Sequence, residues 1–152
     1  MIWIKKPHFA SILATLVWVL FIFSFSFQNA VDSSLASSRL ATFLLNFTQQ
    51  FIPNHPFELH DFVVFVRKGA HFVNFLILMI CVLSVTISNV KHPILISLLF
   101  CLLIAIMDES IQLFVAGRSA QLSDIVLDMA GAIFGMLLWL GAKKGRDIIH
   151  GS

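Results

Sequence analysis

The stretch PILISLLFCLLIAIMDESIQLFVAGRSAQLSDIVLDMAGAIFGMLLWLGA (93–142) decides the fold class, because it places a charged cluster between two apolar runs. Residues 93–107 and 129–142 contain no Asp, Glu, Lys or Arg, whereas residues 108–128 contain four carboxylates and one arginine. A helix needs about 20 predominantly apolar residues to cross a bilayer. The pattern predicts two membrane-spanning helices joined by a short polar turn.

The composition of the whole chain is that of an integral membrane protein. Of its 152 residues, 59% are hydrophobic and 12% charged, against about 45–50% and about 25% in globular domains. This length fits a single membrane domain over residues 1–152. A net charge of +2 is too small to indicate a nucleic-acid partner. The two cysteines lie inside apolar runs, so we expect no disulfide framework and no CxxC metal motif.

Four segments are long enough to cross a membrane. The sequence places these spans at about 9–27, 61–87, 93–114 and 122–142. Because membrane-spanning segments this apolar form helices, we predict an all-α, four-transmembrane-helix bundle.

The first loop has a helical pattern of its own. Ser33 or Ser34 is expected to cap its start, while Pro53 and Pro56 should end it. One face carries large apolar residues, and the other Ser, Thr, Asn and Gln. The apolar residues are Leu40, Phe43, Leu44, Phe47 and Phe51. We predict an amphipathic helix over about 34–52 that lies in the outer membrane interface; a lid over a site is the second interpretation.

The basic residues of the loops predict the orientation. Cytoplasmic loops carry an excess of Lys and Arg, and here the loops on one side of the predicted bundle hold only Arg39 and Arg118. Both termini are therefore expected in the cytoplasm, and the long first loop and the 117–121 turn outside. The basic residues on the cytoplasmic side are Lys5, Lys6, Lys91, Lys143, Lys144 and Arg146.

The polar residues of the last three spans fall at one level of the membrane. They come early in the second span, late in the third and early in the fourth, and consecutive spans run antiparallel. At about 1.5 Å rise per residue this level is the outer third of a bilayer core about 30 Å thick. The residues are Arg67, Lys68, His71 and Asn74; Asp108, Glu109 and Gln112; and Asp124 and Asp128.

The spacing in the fourth span indicates that these groups face protein. Asp124, Asp128, Gly131 and Gly135 share one helix face, and 131–135 is a GxxxG pattern that lets helices approach closely. A charge exposed to lipid at the bilayer centre costs about 2.5–3.5 kcal/mol on insertion scales. We therefore predict one mixed-charge pocket beneath the outer surface.

The charged groups allow several chemistries. The basic residues Arg67, Lys68 and Arg118 can bind a phosphate or carboxylate, or they can neutralise Asp108 and Glu109. Because adjacent helical residues point about 100° apart, we expect Asp108 to face inward and Glu109 to pair sideways with Arg118 or Lys68.

His71 has three interpretations. It is either a general acid or base, a hydrogen-bonded core histidine, or a metal ligand together with Asp108, Glu109 and Asp128. The adjacent cations argue against a divalent metal, so we expect neither a metal nor another cofactor.

These residues also carry a family resemblance. The motifs resemble the signature of VanZ-like membrane proteins over most of the chain, from Ser26 and Gln28 to Gly135. The resemblance implies a small helical protein of the bacterial plasma (inner) membrane, associated with the cell envelope and with low-level resistance to teicoplanin-type glycopeptides. It supplies no reaction. The matching motifs are Arg67-Lys68-Gly69-Ala70-His71-Phe72, Asp108-Glu109-Ser110-Ile111-Gln112, Gly117-Arg118, and Asp124 with Gly131 and Gly135.

The chain departs from that signature at two positions. It has Asn74 where the family often has an acidic residue, and Asp128 where the family often has Asn. Together the two exchanges keep the number of carboxylates and move one of them to another helix.

Three functions fit the sequence. The first is a module that binds an anionic membrane lipid, a lipid-linked cell-envelope precursor or a lipoglycopeptide; the second is an intramembrane hydrolase or transferase that acts on such a lipid. The third, a proton or ion pathway, is disfavoured because the polar layer occupies only one end of the spans. The expected ligand-binding residues are Arg67, Lys68, Asn74, Gln112, Arg118, Asp124 and Asp128, and the expected catalytic residues of an enzyme are His71, Asp108 and Glu109.

Overall fold

The chain is helical wherever it has regular structure in the described ranges. A computed structural model describes residues 9–54, 56–87 and 89–150, of which 144–150 are described as backbone only. Four of its helices are long and apolar enough to cross a membrane, which confirms the predicted fold class. The helices are α1 (Phe9–Ser26), α2 (Ala30–Phe51), α3 (Leu59–Thr86), α4 (Pro93–Gln112) and α5 (Leu122–His150).

Helix α3 lies at the centre of the bundle and contacts the other four helices, α5 most extensively. Phe75, Leu78, Met79 and Leu83 follow helical spacing on α3 and are at most 1% exposed. They form the core with apolar residues of α1, α4 and α5. The polar residues one to two turns earlier on α3 are therefore held beside this core.

Glycines set the distance between α3 and α5. A side chain at Gly131 would meet the backbone carbonyl of Phe72, and one at Gly135 that of Leu76. The GxxxG face therefore packs directly on protein, as its spacing predicts. Asp124 and Asp128 share this face and are carried into the same contact.

Helix α2 begins earlier than the sequence indicates. Its N-cap is Asn29, whose side chain accepts a hydrogen bond from the backbone N–H of Asp32 at 2.9 Å, so the prediction of Ser33 or Ser34 as the cap was wrong. Asn is as good an N-cap as Ser, and α2 begins at Ala30, ten residues before Leu40, where the apolar pattern begins. The helix ends at Phe51, two residues before Pro53, as expected.

One side of α2 contacts α3 and the other is open. Ala41 is completely buried, whereas Leu40, Phe43, Phe47 and Phe51 are 51–67% exposed. A position in the outer membrane interface fits these exposed apolar residues and stays a prediction.

The other boundaries shift by a few residues at helix ends. Helix α3 begins at Leu59 because Glu58 and Asp61 form a reciprocal capping box, and α4 ends at Gln112 rather than at 114. Helix α5 continues to His150, past the expected end of the span at 142. Of the residues used for orientation, Lys5 and Lys6 and the side chains of Lys144 and Arg146 lie outside the described part.

Candidate functional site

The polar residues of α3, α4 and α5 meet around His71. Its Nδ1 lies 3.1 Å from Oδ1 of Asp128 and 3.9 Å from Oδ2 of Asp108. The two carboxylate residues are 0% and 3% exposed, and the His71 side chain is 12% exposed. Three helices thus bring their polar groups together inside the protein.

Asp108 has neutral hydrogen-bond donors on two sides. The hydroxyl of Ser26 donates to its Oδ1, and Nε2 of Gln112 donates to its Oδ2 at 3.2 Å. Ser26, in the last turn of α1 and 2% exposed, was not among the residues expected in the site. Its signal in the sequence was a polar residue at the outer end of an apolar span, level with the charged layer.

Glu109 is as deeply buried as Asp108, at 3% exposure. Its Oε2 accepts a hydrogen bond from the backbone N–H of Gln121 at 2.7 Å. The prediction that Glu109 pairs with Arg118 or Lys68 was therefore wrong. The 113–121 turn folds back over this side of α4 and supplies a donor, so both neighbouring carboxylates are covered although they point in different directions.

Lys68 pairs with the first carboxylate of α5. Its Nζ lies 2.7 Å from Oδ1 of Asp124, with side-chain exposures of 42% and 5%. The repulsion between Asp124 and Asp128 is thus relieved by one separate partner each, Lys68 and His71. Neither Asp108 nor Glu109 receives the Lys68 charge.

Both arginines of the predicted site remain outside these ion pairs. Among the described residues, no carboxylate lies within 4.0 Å of the guanidinium of Arg67 or Arg118. Nη1 of Arg118 donates to the backbone carbonyls of Phe25 and Gln28, at 3.0 and 3.4 Å. Burial, and after it the positive charge of Arg67, lower the pKa of Arg118 from its ordinary value, although a guanidinium stays charged in proteins.

Both arginines line a cavity of about 260 Å³ between α1, α2, α3 and α4. Ser33 and Ser37 of α2 close one side of it, so α2 forms part of its wall. The apolar part of the wall includes Phe21, Phe25 and Leu40. Its polar lining includes Ser26, Arg67, His71, Asn74, Asp108, Gln112 and Arg118.

The cavity contains only part of the predicted site. The lining does not include Lys68, Glu109, Asp124 or Asp128, all four of which are described. These residues lie beyond the cavity wall, and His71 and Asp108 connect them to it. In place of the single predicted pocket, the structure thus has a cavity lined by Arg67 and Arg118. Beside it lies an acidic cluster, formed by Asp108, Glu109 and Asp128 around His71.

The acidic cluster has the donor atoms of a cation site. One ligand atom each from His71, Asp108 and Glu109 lies within 4.8 Å of the others. Buried oxygens without a hydrogen-bond partner occur on three residues of this region, Oε1 of Glu109, Oε1 of Gln112 and Oδ2 of Asp128. A nitrogen with several oxygens is a donor set that suits zinc or manganese.

Comparison with known proteins identifies a family. The family model described as VanZ/LLP1 matches residues 11–143 of this chain. The match extends from the first turn of α1 to the end of the last span and includes the described site residues. Neither the curated proteins nor the solved structures gave a match.

Proposed function

This chain belongs to the VanZ/LLP1 family, and from that premise we propose that it binds the anionic head group of a lipid or lipid-linked cell-envelope precursor. The binding site is the cavity lined by Arg67 and Arg118. We place the protein in the bacterial plasma membrane with both termini in the cytoplasm, so that the cavity opens at the outer leaflet.

The observation that carries this proposal is the unpaired charge of the two arginines. The carboxylates nearby are held by Ser26, Gln112, the Gln121 backbone and His71, and Lys68 is held by Asp124. The positive charge left at the cavity is that of Arg67 and Arg118. A phosphate or carboxylate group of a ligand can accept hydrogen bonds from both, and arginine binds such planar or tetrahedral oxyanions by two parallel bonds.

The size and walls of the cavity suit a head group rather than a whole lipid. Its volume of about 260 Å³ is slightly below the range of about 300–1,000 Å³ that is usual for drug-sized ligands. Phe21, Phe25 and Leu40 line it and are also 41–51% exposed. Acyl or isoprenoid chains can stay in the bilayer against these residues while the charged group enters.

The association with teicoplanin-type glycopeptides that the family resemblance implies belongs to the same cavity in this proposal. Binding of a lipid-linked precursor, or of the acyl part of a lipoglycopeptide, would change how much antibiotic reaches its target. Expression of the wild type should raise the teicoplanin concentration that inhibits growth, and Arg67→Gln should abolish the increase.

The direct test measures retained lipid. Wild type and Arg67→Gln are purified from bilayers of phosphatidylglycerol mixed with phosphatidylcholine, and bound lipid is quantified by mass spectrometry. We expect phosphatidylglycerol to be enriched on the wild type and the enrichment to fall about tenfold or more in Arg67→Gln, since a bond to a charged group contributes about 1.5–3 kcal/mol. Arg39→Gln is the matched control, because Arg39 is exposed on α2 and does not line the cavity.

Equal lipid enrichment in wild type, Arg67→Gln and Arg39→Gln would refute the proposal. Arg118→Gln is a second probe of the cavity, but it also removes hydrogen bonds to Phe25 and Gln28. For this reason its retained lipid is compared only in samples whose helix content and elution volume match the wild type.

An intramembrane hydrolase or transferase is the second candidate, favoured by one observation. His71 and Asp108 line the same cavity as the arginines, so a proton donor or acceptor stands beside the expected oxyanion. His71→Gln should then abolish turnover of a lipid-linked phosphate or acyl substrate and leave phosphatidylglycerol enrichment unchanged. Loss of both together argues for binding alone.

A further inference from the structure

We propose that the acidic cluster behind the cavity is a divalent metal site, with His71, Asp108 and Glu109 as ligands and a cation of the zinc or manganese class. This inference does not depend on lipid binding by the arginines. It concerns His71 and Asp108, which lie in the cavity wall, and Glu109, which lies outside the lining.

The three residues place their donor atoms close together. These atoms lie within 4.8 Å of one another, and because a cation at about 2.0–2.2 Å from each requires donor atoms no more than about 4.4 Å apart, the side chains would close in on the bound ion. Asp128 contacts Nδ1 of the same imidazole at 3.1 Å. With Asp128 at Nδ1, Nε2 is the nitrogen available to a cation, and a carboxylate on the other ring nitrogen fixes the orientation of a metal-bound histidine.

Buried oxygens without partners are the second, independent indication. Oε1 of Glu109 accepts no hydrogen bond, and this residue is 3% exposed. Gln112, 1% exposed, holds Asp108 through Nε2, so its own unpartnered Oε1 lies next to the cluster. Protein interiors rarely leave such oxygens unsatisfied; a cation with its bound water would satisfy them.

The negative charge of the carboxylates in the cluster also favours a bound cation. Lys68 neutralises Asp124, which leaves Asp108, Glu109 and Asp128 buried around one imidazole. A protonated His71 would balance only one of these three carboxylates, and Arg118, which lines the cavity together with Asp108, makes no ion pair with them within 4.0 Å. Buried charge without compensation is unfavourable, and a divalent ion supplies two positive charges at this point.

The structure removes the objection that the sequence raises against a metal. Adjacent cations repel a metal ion only if they lie among its ligands. Lys68 is held by Asp124 beyond the ligand set, and Arg67 lines the cavity without a carboxylate partner in the described part of the chain. Neither basic group occupies the space between the three ligands.

Such an ion would border the basic cavity. His71 and Asp108 line the cavity whereas Glu109 does not, so the ligand set lies in its wall. Three protein ligands leave coordination positions for water or for an oxygen of a bound molecule, which is the arrangement of reactive rather than structural zinc sites.

The experiment measures metal content. Protein with a histidine-free affinity tag is purified without chelator, and zinc and manganese are quantified by elemental mass spectrometry. We expect about one equivalent per chain in the wild type and less than a tenth of that in Glu109→Gln. After stripping with chelator, titration with ZnCl2 or MnCl2 should restore one equivalent, and Asp128→Asn should weaken the affinity about 10–100-fold.

Two variants serve as controls. Asp32→Asn removes a carboxylate exposed in the first turn of α2, and His92→Gln removes an exposed imidazole before α4; both should keep the full equivalent. Thermal unfolding in detergent separates metal loss from misfolding, because ZnCl2 should raise the unfolding temperature of stripped wild type and leave that of Glu109→Gln unchanged. Absence of metal and of any response to ZnCl2 or MnCl2 in the wild type, or full occupancy in Glu109→Gln, overturns the proposal.

Discussion

Asp108 shows how hydrogen bonds stabilise a buried carboxylate in this bundle. Its oxygens receive hydrogen bonds from Ser26 and Gln112, and His71 approaches Oδ2 at 3.9 Å. Ser26 lies on α1, His71 on α3 and Gln112 on α4, so the carboxylate connects these three helices at one level. The hydroxyl of Ser26 is the only contribution of α1 to this contact among the hydrogen bonds of the described residues.

Removal of that hydroxyl should destabilise the protein. In Ser26→Ala, Asp108 loses a buried hydrogen bond, and we expect the free energy of unfolding to fall by about 1–3 kcal/mol. The measurement is unfolding by sodium dodecyl sulfate from mixed micelles, followed by circular dichroism.

Ser24→Ala is the matched control on the same helix. Ser24 is exposed and its hydroxyl donates to the carbonyl of Phe21 in its own helix, so its loss should change the free energy by less than about 0.5 kcal/mol. Equal effects of the two substitutions would show that Ser26 does not support Asp108.

At the scale of helices, the contact between α3 and α5 decides where the acidic groups stand. Gly131 and Gly135 allow the backbone of α3 to approach α5 at Phe72 and Leu76. The same approach brings Asp128 to His71 and Asp124 to Lys68, because Asp128 and Asp124 lie about one and two turns before Gly131 on the same face of α5. The two glycines therefore determine how close Asp124 and Asp128 lie to the basic residues of α3.

An alanine in this contact should separate the two helices. The methyl group of Gly131→Ala would press on the Phe72 carbonyl, which is backbone and cannot move aside, and we expect a loss of about 1–3 kcal/mol in the free energy of unfolding. We also expect weaker retention of whatever the His71 cluster binds. Unfolding by sodium dodecyl sulfate gives the first quantity, and elemental analysis the second.

Gly141 provides the comparison within the same helix. A side chain there would have nothing within 4 Å, and alanine has the better helix propensity by about 1 kcal/mol. Gly141→Ala should therefore be neutral or slightly stabilising. A destabilisation as large as that of Gly131→Ala would point to a general effect of helix glycines rather than to the α3–α5 contact.

At the scale of the molecule, the orientation of the bundle in the membrane determines the leaflet at which the cavity lies. The cavity and the acidic cluster lie at the end of the bundle that carries the 113–121 turn, whereas Lys91 lies in the turn at the other end. Cytoplasmic loops carry an excess of Lys and Arg, and Lys91 and Lys143 lie toward the end opposite the cavity, so we expect the cavity at the outer leaflet.

Labelling of introduced cysteines tests this orientation in whole cells. In a background with Cys81 and Cys101 replaced by Ala, Ser119→Cys should react with a membrane-impermeant maleimide added outside, because Ser119 is exposed in the outer turn. Lys91→Cys, exposed at the opposite end, should react only after the membrane is permeabilised. The reverse pattern would place the cavity on the cytoplasmic side and remove outer-leaflet lipids as its ligands.

The sequence predicted the helices because the signals for them are local. Long apolar runs and the polar and proline residues between them fixed four spans to within a few residues at most ends, and antiparallel counting placed His71, Asp108 and Asp128 at one level. The N-cap at Asn29 was missed because several residues before the apolar pattern can cap a helix equally well. The continuation of α5 to His150 was missed because the length of an apolar run indicates where a helix leaves the membrane and not where the helix ends.

The sequence by itself determined an all-helical membrane protein with its charges gathered near one end, because charge in hydrocarbon is too costly to be left unpaired. Only the tertiary structure decided which partner each charge takes. Lys68 pairs with Asp124, and the backbone N–H of Gln121 donates to Glu109. Among the described residues, Arg67 and Arg118 are left at the cavity without a carboxylate partner. Pairing depends on distances of a few ångströms between helices that are far apart in the chain, and residue spacing along one helix carries no information about them.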